Sequence, residues 1–103
     1  MSIIVRERAE DELVELLGRI RGVNPRAADD VRDAVQRTLA LLEANPLSGS
    51  RHRVRNPNLG NLRSTTVSLY PQFVVLYLPT ATGVEVLHIV RGRRNLNRVV
   101  ADD

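Results

Sequence analysis

Cysteine is absent from the 103 residues, which excludes disulfide scaffolds, zinc knuckles and thiol catalysis. Lysine is absent too: all 15 basic residues are arginine. Biased codon usage is the ordinary reason for such a gap, but the consequence is chemical whatever the cause. No lysine is there to form a Schiff base, to ligate a phosphate loop or to act as a general base. Every positive site is a planar, permanently charged fork suited to carboxylates and phosphates. Aromatics are scarce, Tyr70, Phe73 and Tyr77 being the whole set, which weakens any reading by base stacking. No apolar run approaches the roughly 18 residues of a membrane span. The N-terminal stretch SIIVRERAEDE turns charged too soon for a signal peptide. The expectation is a soluble, cytoplasmic chain long enough for one compact domain and too short for two.

Charge is split along the chain. Residues 1–50 carry 7 Arg against 9 acids, and residues 51–103 carry 8 Arg against 3 acids. Between Arg51 and Arg98 the only acid is Glu85. The second half is therefore expected to present a positive surface.

Residues 2–6 (SIIVR) read as a short strand, β-branched and soon interrupted by charge. Ala9, Leu13, Leu16, Leu17 and Ile20 then fall on one helical stripe, with Glu10, Asp11, Glu12, Glu15 and Arg19 opposite. Gly22 is a natural stop. Asn24-Pro25 restarts a helix as N-cap and first helical residue, and Ala28, Val31, Val35, Leu39 and Leu42 form its stripe. The short connection predicts an antiparallel helical hairpin. Residues 45–60 read as one long loop. Asn61–Leu69, Phe73–Leu78 and Val84–Arg91 read as three strands, separated by Tyr70-Pro71-Gln72 and by residues 79–83. Phe73–Leu78 is apolar on both faces, which marks the central strand. The fold class expected is α+β, in the order β-α-α-β-β-β, with the hairpin packed on a mainly antiparallel sheet. Leu13, Leu17, Ile20, Val31, Val35, Leu39, Val75 and Val86 are expected in one core.

Candidate functional residues are mostly arginines. Arg91-Gly92-Arg93-Arg94-Asn95 places three forks around a glycine at the end of the last strand, fit to hold an anion or a carboxylate-rich partner. Arg51, Arg53 and Arg55 alternate, so an extended backbone projects them to one side. Arg63 precedes the β-branched run Ser64-Thr65-Thr66-Val67 and is placed to reach Arg91 or Arg93 in one basic patch. His88, within Val86-Leu87-His88-Ile89-Val90, reads first as a buried, hydrogen-bonded residue and second as a base. His52 lies in the long loop, read as mobile, where a general base is poorly held. No metal-ligand spacing, phosphate loop or nucleophile elbow occurs.

Over nearly its whole length the sequence resembles the ParE/RelE superfamily of toxins from type II toxin–antitoxin modules, and more closely the ParE branch. The residues that carry this are Ala9-x-x-x-Leu13, Asn24-Pro25-x-Ala27-Ala28, Leu39-x-x-Leu42-x-x-Asn45-Pro46-x-x-Gly49 and Leu62-Arg63. They continue with Tyr70-x-x-Phe73-Val74-Val75-Leu76-Tyr77 and with Gly83-Val84-Glu85-Val86-Leu87-x-Ile89-Val90-Arg91-Gly92-Arg93-Arg94-Asn95-Leu96. Their order and spacing are specific where no single piece is. The resemblance implies a single toxin domain over residues 1–103, free of cofactor and metal, arresting growth until neutralised by a cognate ParD-like antitoxin whose C-terminal segment wraps it in a hetero-oligomer. For the ParE branch it implies DNA gyrase as target, inhibition by binding, and neither membrane association nor sequence-specific DNA binding by the chain itself. Arg51, Arg53, Arg55, Arg63, Arg91, Arg93, Arg94 and Asn95 are then the target- or antitoxin-binding candidates. The RelE branch implies a ribosome-dependent endoribonuclease, with Arg63, Arg91, Arg93 and His88 as its catalytic candidates. Cleavage of that kind needs a proton donor and acceptor, and the tail NLNRVVADD holds neither Tyr nor His, which favours the first class. Where the family often has Arg-Asp after the last strand, Arg94 is followed by Asn95. The lost Arg–Asp pairing implies either a weakened toxin or only a neutral hydrogen-bonding substitute.

Overall fold

The structure is a computed structural model and describes residues 2–92 and 95–103. Its elements are β1 (Ser2–Val5), α1 (Glu7–Arg21), α2 (Pro25–Ala44), β2 (Ser50–Arg51), a 3-10 turn (Pro57–Leu59), β3 (Arg63–Val67), β4 (Tyr70–Pro79), β5 (Gly83–Arg91) and α3 (Leu96–Val99). The class is α+β as expected, with β2, the 3-10 turn and α3 added to the expected order. α1 opens with Glu7 and Glu10 and closes with Arg19 and Arg21, matching the helix dipole. α2 starts where Asn24 caps it, Oδ1 accepting the Ala27 N–H at 3.2 Å, with Pro25 in the first turn.

The five strands lie in the order β1-β5-β4-β3-β2. β3, β4 and β5 form the expected antiparallel meander with β4 in the centre, and β1 runs parallel to β5 along the register Ser2↔Gly83 to Val5↔Val86. Two expectations need correction. The first hairpin turns at Ser68–Leu69 and not at Tyr70-Pro71-Gln72, which already belongs to β4. Leu69 takes φ 71°, a left-handed conformation that leucine does not advertise in a sequence. Residues 45–60 are also not one free loop. Ser50 and Arg51 pair with Ser64 and Arg63, extending the sheet by a short edge strand.

Side-chain alternation along the central strand divides the apolar residues between two faces. Val75 and Tyr77 face the helices and join Val31, Val35, Leu42, Val86 and Ile89 in one cluster. Leu76 faces away and joins Leu59, Leu62, Leu87 and Val100 in a second. Of the eight expected core residues, Val31, Val35, Val75 and Val86 are buried, while Leu13, Leu17, Ile20 and Leu39 are half-buried against the same cluster. The inner face of α2 is Ala28, Val31, Ala34, Val35, Thr38 and Leu42, with Leu39 half-buried at its margin. Thr38 is admitted because its hydroxyl donates to the Ala34 carbonyl at 2.8 Å and accepts the Ser68 N–H at 2.9 Å. The outer face is covered by residues 52–60 and by the tail from Asn95 to Asp103, through Leu59, Val54, Leu96, Val99 and Val100.

Candidate functional site

The last part of β5 borders a groove. β1 follows β5 only as far as Val86, whereas β5 runs on to Arg91. Beside that stretch, α1 and the α1–α2 turn enclose about 680 Å³, with Leu16, Ile20, Val23 and Phe73 as apolar lining and Glu12, Glu15, Arg19 and Arg91 as polar lining. Val23 is 89% exposed and Phe73 is buried beneath the Arg91 guanidinium, which stands 5.8 Å from the ring centroid. Glu12 Oε1 accepts the Ile89 N–H at 3.2 Å, capping one backbone donor on this stretch of β5.

Arg51, Arg53 and Arg55 lie on the opposite flank of the sheet and are exposed, while His52, Val54 and Asn56 between them are half-buried. The expected one-sided projection is therefore present. His52 corrects the reading of a mobile loop: its N–H bonds the Leu62 carbonyl at 3.0 Å and its Nε2 lies 2.5 Å from Ser64 Oγ. Arg55 continues into a second hollow of about 590 Å³, shared with Asn56, Asn95, Asn97 and Arg98. Among the described residues, the arginines that pair with carboxylates are Arg6, Arg19, Arg21 and Arg32, all in the N-terminal half.

Arg63 does not join Arg91. Arg63 pairs with Tyr77 and Arg91 with Phe73, at separate points along β4 about 13 Å apart by strand rise alone. The Arg63 Nη1 donates to the carbonyls of Leu47 and Gly49 at 2.9 and 2.6 Å, which ties down the connection after α2. The basic patch expected of Arg63 and Arg91 is thus divided, because cross-strand register separates residues that sequence places within reach. Arg93 and Arg94 lie outside the described residues. Asn95 caps α3, its Oδ1 accepting the Asn97 N–H at 3.1 Å.

His88 is 1% exposed and shares a rung with Leu76, on the face away from Tyr77 and Arg63. Its Nδ1 stands 3.0 Å from both Glu12 oxygens and its Nε2 stands 2.5 Å from Asp103 Oδ2. Asp103 Oδ1 lies 3.6 Å from Arg6 Nη1, and Arg6 Nε donates to Glu85 at 2.7 Å. The first reading of His88, buried and hydrogen-bonded, holds. Neither Glu12 nor Asp103 was marked by the sequence, since 76 and 15 positions separate them from His88. Among the described residues, no group of His, Asp and Glu side chains is arranged to hold a metal ion, and no helix is long and apolar enough to cross a membrane.

A search of curated proteins gave no match to this sequence. The family model described as the ParE toxin of the type II toxin–antitoxin system parDE matches residues 3–96, from β1 through β5 to the start of α3. With that match spanning nearly all of the chain, the protein belongs to the ParE toxin family of type II toxin–antitoxin systems.

Proposed function

We propose that the chain inhibits DNA gyrase by binding it, and that a cognate ParD-like antitoxin neutralises it in a hetero-oligomer by docking along the groove beside β5. The observation that carries the choice of inhibitor over nuclease is the state of His88. The ring is buried, with a carboxylate on each nitrogen, while Arg63 stands on the other face with its guanidinium on backbone carbonyls. General acid–base cleavage needs a donor and an acceptor within hydrogen-bond reach of one scissile phosphate. Among the described residues, His88, Arg63 and Arg91 do not converge on one place. The antitoxin reading is supported by an apolar groove with a charged rim at a strand edge, a setting suited to an extended or helical segment. The exposed arginines at positions 51, 53, 55 and 91 speed its encounter with an acidic partner, and the effect weakens with salt over a Debye length of ~8 Å. Induced expression without the antitoxin tests the function. DNA-damage signalling with lost supercoiling is the expected outcome; immediate arrest of translation, with codon-specific message ends abolished by His88→Ala, overturns it in favour of a ribosome-dependent nuclease.

A further inference from the structure

Asp103 binds its own chain as a ligand binds a site. Its two carboxylate oxygens address different groups, Oδ2 the His88 ring and Oδ1 the Arg6 guanidinium. Each group is oriented from behind by a second carboxylate, Glu12 for His88 and Glu85 for Arg6. Both ring nitrogens of His88 face carboxylate oxygens, Nδ1 those of Glu12 and Nε2 that of Asp103. A buried ring fixed by one carboxylate and aimed at another is a preorganised acceptor of negative charge.

The group that fills this position is carried by a short segment. The tail is tied to the body by Val100 in the outer cluster and by Asn56, whose Nδ2 donates to the carbonyls of Val100 and Asp103 at 2.9 and 3.0 Å. Asn56 directly follows the exposed arginine row, and Arg55 and Arg98 flank the hollow beside it. An acidic chain drawn along Arg51, Arg53 and Arg55 is thereby led to the place where Asp103 sits.

We infer that Arg6 and His88 form a carboxylate-binding site on the outer side of the sheet, which Asp103 occupies from within the chain and from which an acidic peptide segment of a partner displaces it. The two flanking carboxylates, Glu12 and Glu85, set the charge of the ligand. With negative charge on both sides, a monoanionic carboxylate suits the site better than a phosphate dianion. Displacement frees the tail from the outer cluster, so occupancy by a partner changes which surface that face presents. The site shares Glu12 with the groove, but its test does not depend on gyrase or on the antitoxin.

Sodium acetate, at ionic strength matched with chloride, is the probe. In Asp103→Ala, titration shifts the His88 imidazole resonances saturably and leaves those of His52, the other histidine, in place. In the wild-type chain the tethered carboxylate competes, and the midpoint is at least about tenfold higher. Asp103→Asn, with a neutral and weaker internal ligand, gives an intermediate midpoint and serves where the alanine variant fails to fold. Adding Arg6→Gln weakens acetate binding at least about threefold. No saturable His88 shift in either Asp103 variant, or one indifferent to Arg6→Gln, overturns the site. Phosphate binding tighter than acetate overturns the carboxylate assignment.

Discussion

The Tyr77 hydroxyl, at the centre of the sheet, holds Gly49 across 28 positions of sequence: it accepts the Gly49 N–H at 2.9 Å and donates to the Pro46 carbonyl at 2.8 Å. The approach is close enough that a Cβ on Gly49 would lie 2.6 Å from both that hydroxyl and the Ser64 carbonyl. The link fixes where α2 ends and where the arginine row begins, so a buried phenol in the core positions an exposed surface. Tyr77→Phe keeps the ring and leaves the Gly49 N–H without a partner. The expected loss is ~1–3 kcal/mol in denaturant unfolding. An unchanged midpoint would show that the hydroxyl does not anchor the connection.

Leu42, 2% exposed, lies within the inner face of α2, and Leu39, half-buried, lies at its margin. Leu42→Ala is expected to cost ~2–5 kcal/mol and Leu39→Ala clearly less, because a cavity opens only where the side chain is enclosed. Equal losses in parallel denaturation curves would return Leu39 to the inner face.

Arg63 and Arg53 are expected to behave differently although both are arginines of the basic half. Arg63→Ala removes the donor to two carbonyls and should destabilise the chain by ~1–3 kcal/mol. Arg53, exposed and without a carboxylate partner among the described residues, should fall within about 0.5 kcal/mol on replacement. Thermal unfolding of the two variants decides it, and a neutral Arg63→Ala would make its backbone contacts incidental.

Val23 lines the groove while 89% exposed, so a charge placed there spares the fold and enters the proposed docking surface. Val23→Asp is expected to leave the unfolding midpoint unchanged and to raise the antitoxin dissociation rate at least tenfold, about 1.4 kcal/mol. Unchanged kinetics on an immobilised antitoxin would move the docking surface elsewhere.

Much of this architecture is legible in the sequence, and the unread parts share physical causes. The leucine stripe of α1, the Asn24-Pro25 start of α2 and the apolar run of β4 are local signals, each set by one period or one cap. The stripe of α2 is legible in Ala28, Val31, Val35 and Leu42, but Thr38 is not, because a hydroxyl satisfied by its own helix does not look apolar in a sequence. Pro71 drew the hairpin turn away from Leu69, which carries no turn signature. The arginine alternation at 51, 53 and 55 was readable since extended backbone has a period of two. Arg63 and Arg91 lie at different rungs of β4, a separation that spacing hides because register decides cross-strand contacts. Glu12, His88 and Asp103 meet only through tertiary folding, and nothing periodic joins them. Val100 ends fully buried from a tail too short to show a period.

The most direct test of inhibition by binding is a supercoiling assay with purified gyrase, relaxed plasmid, ATP and this chain. The account predicts loss of supercoiling that rises with toxin concentration and is reversed by stoichiometric antitoxin, and that persists in His88→Gln if that variant folds. Full gyrase activity at saturating toxin, alongside cleavage of ribosome-bound message by the same preparation, would contradict it.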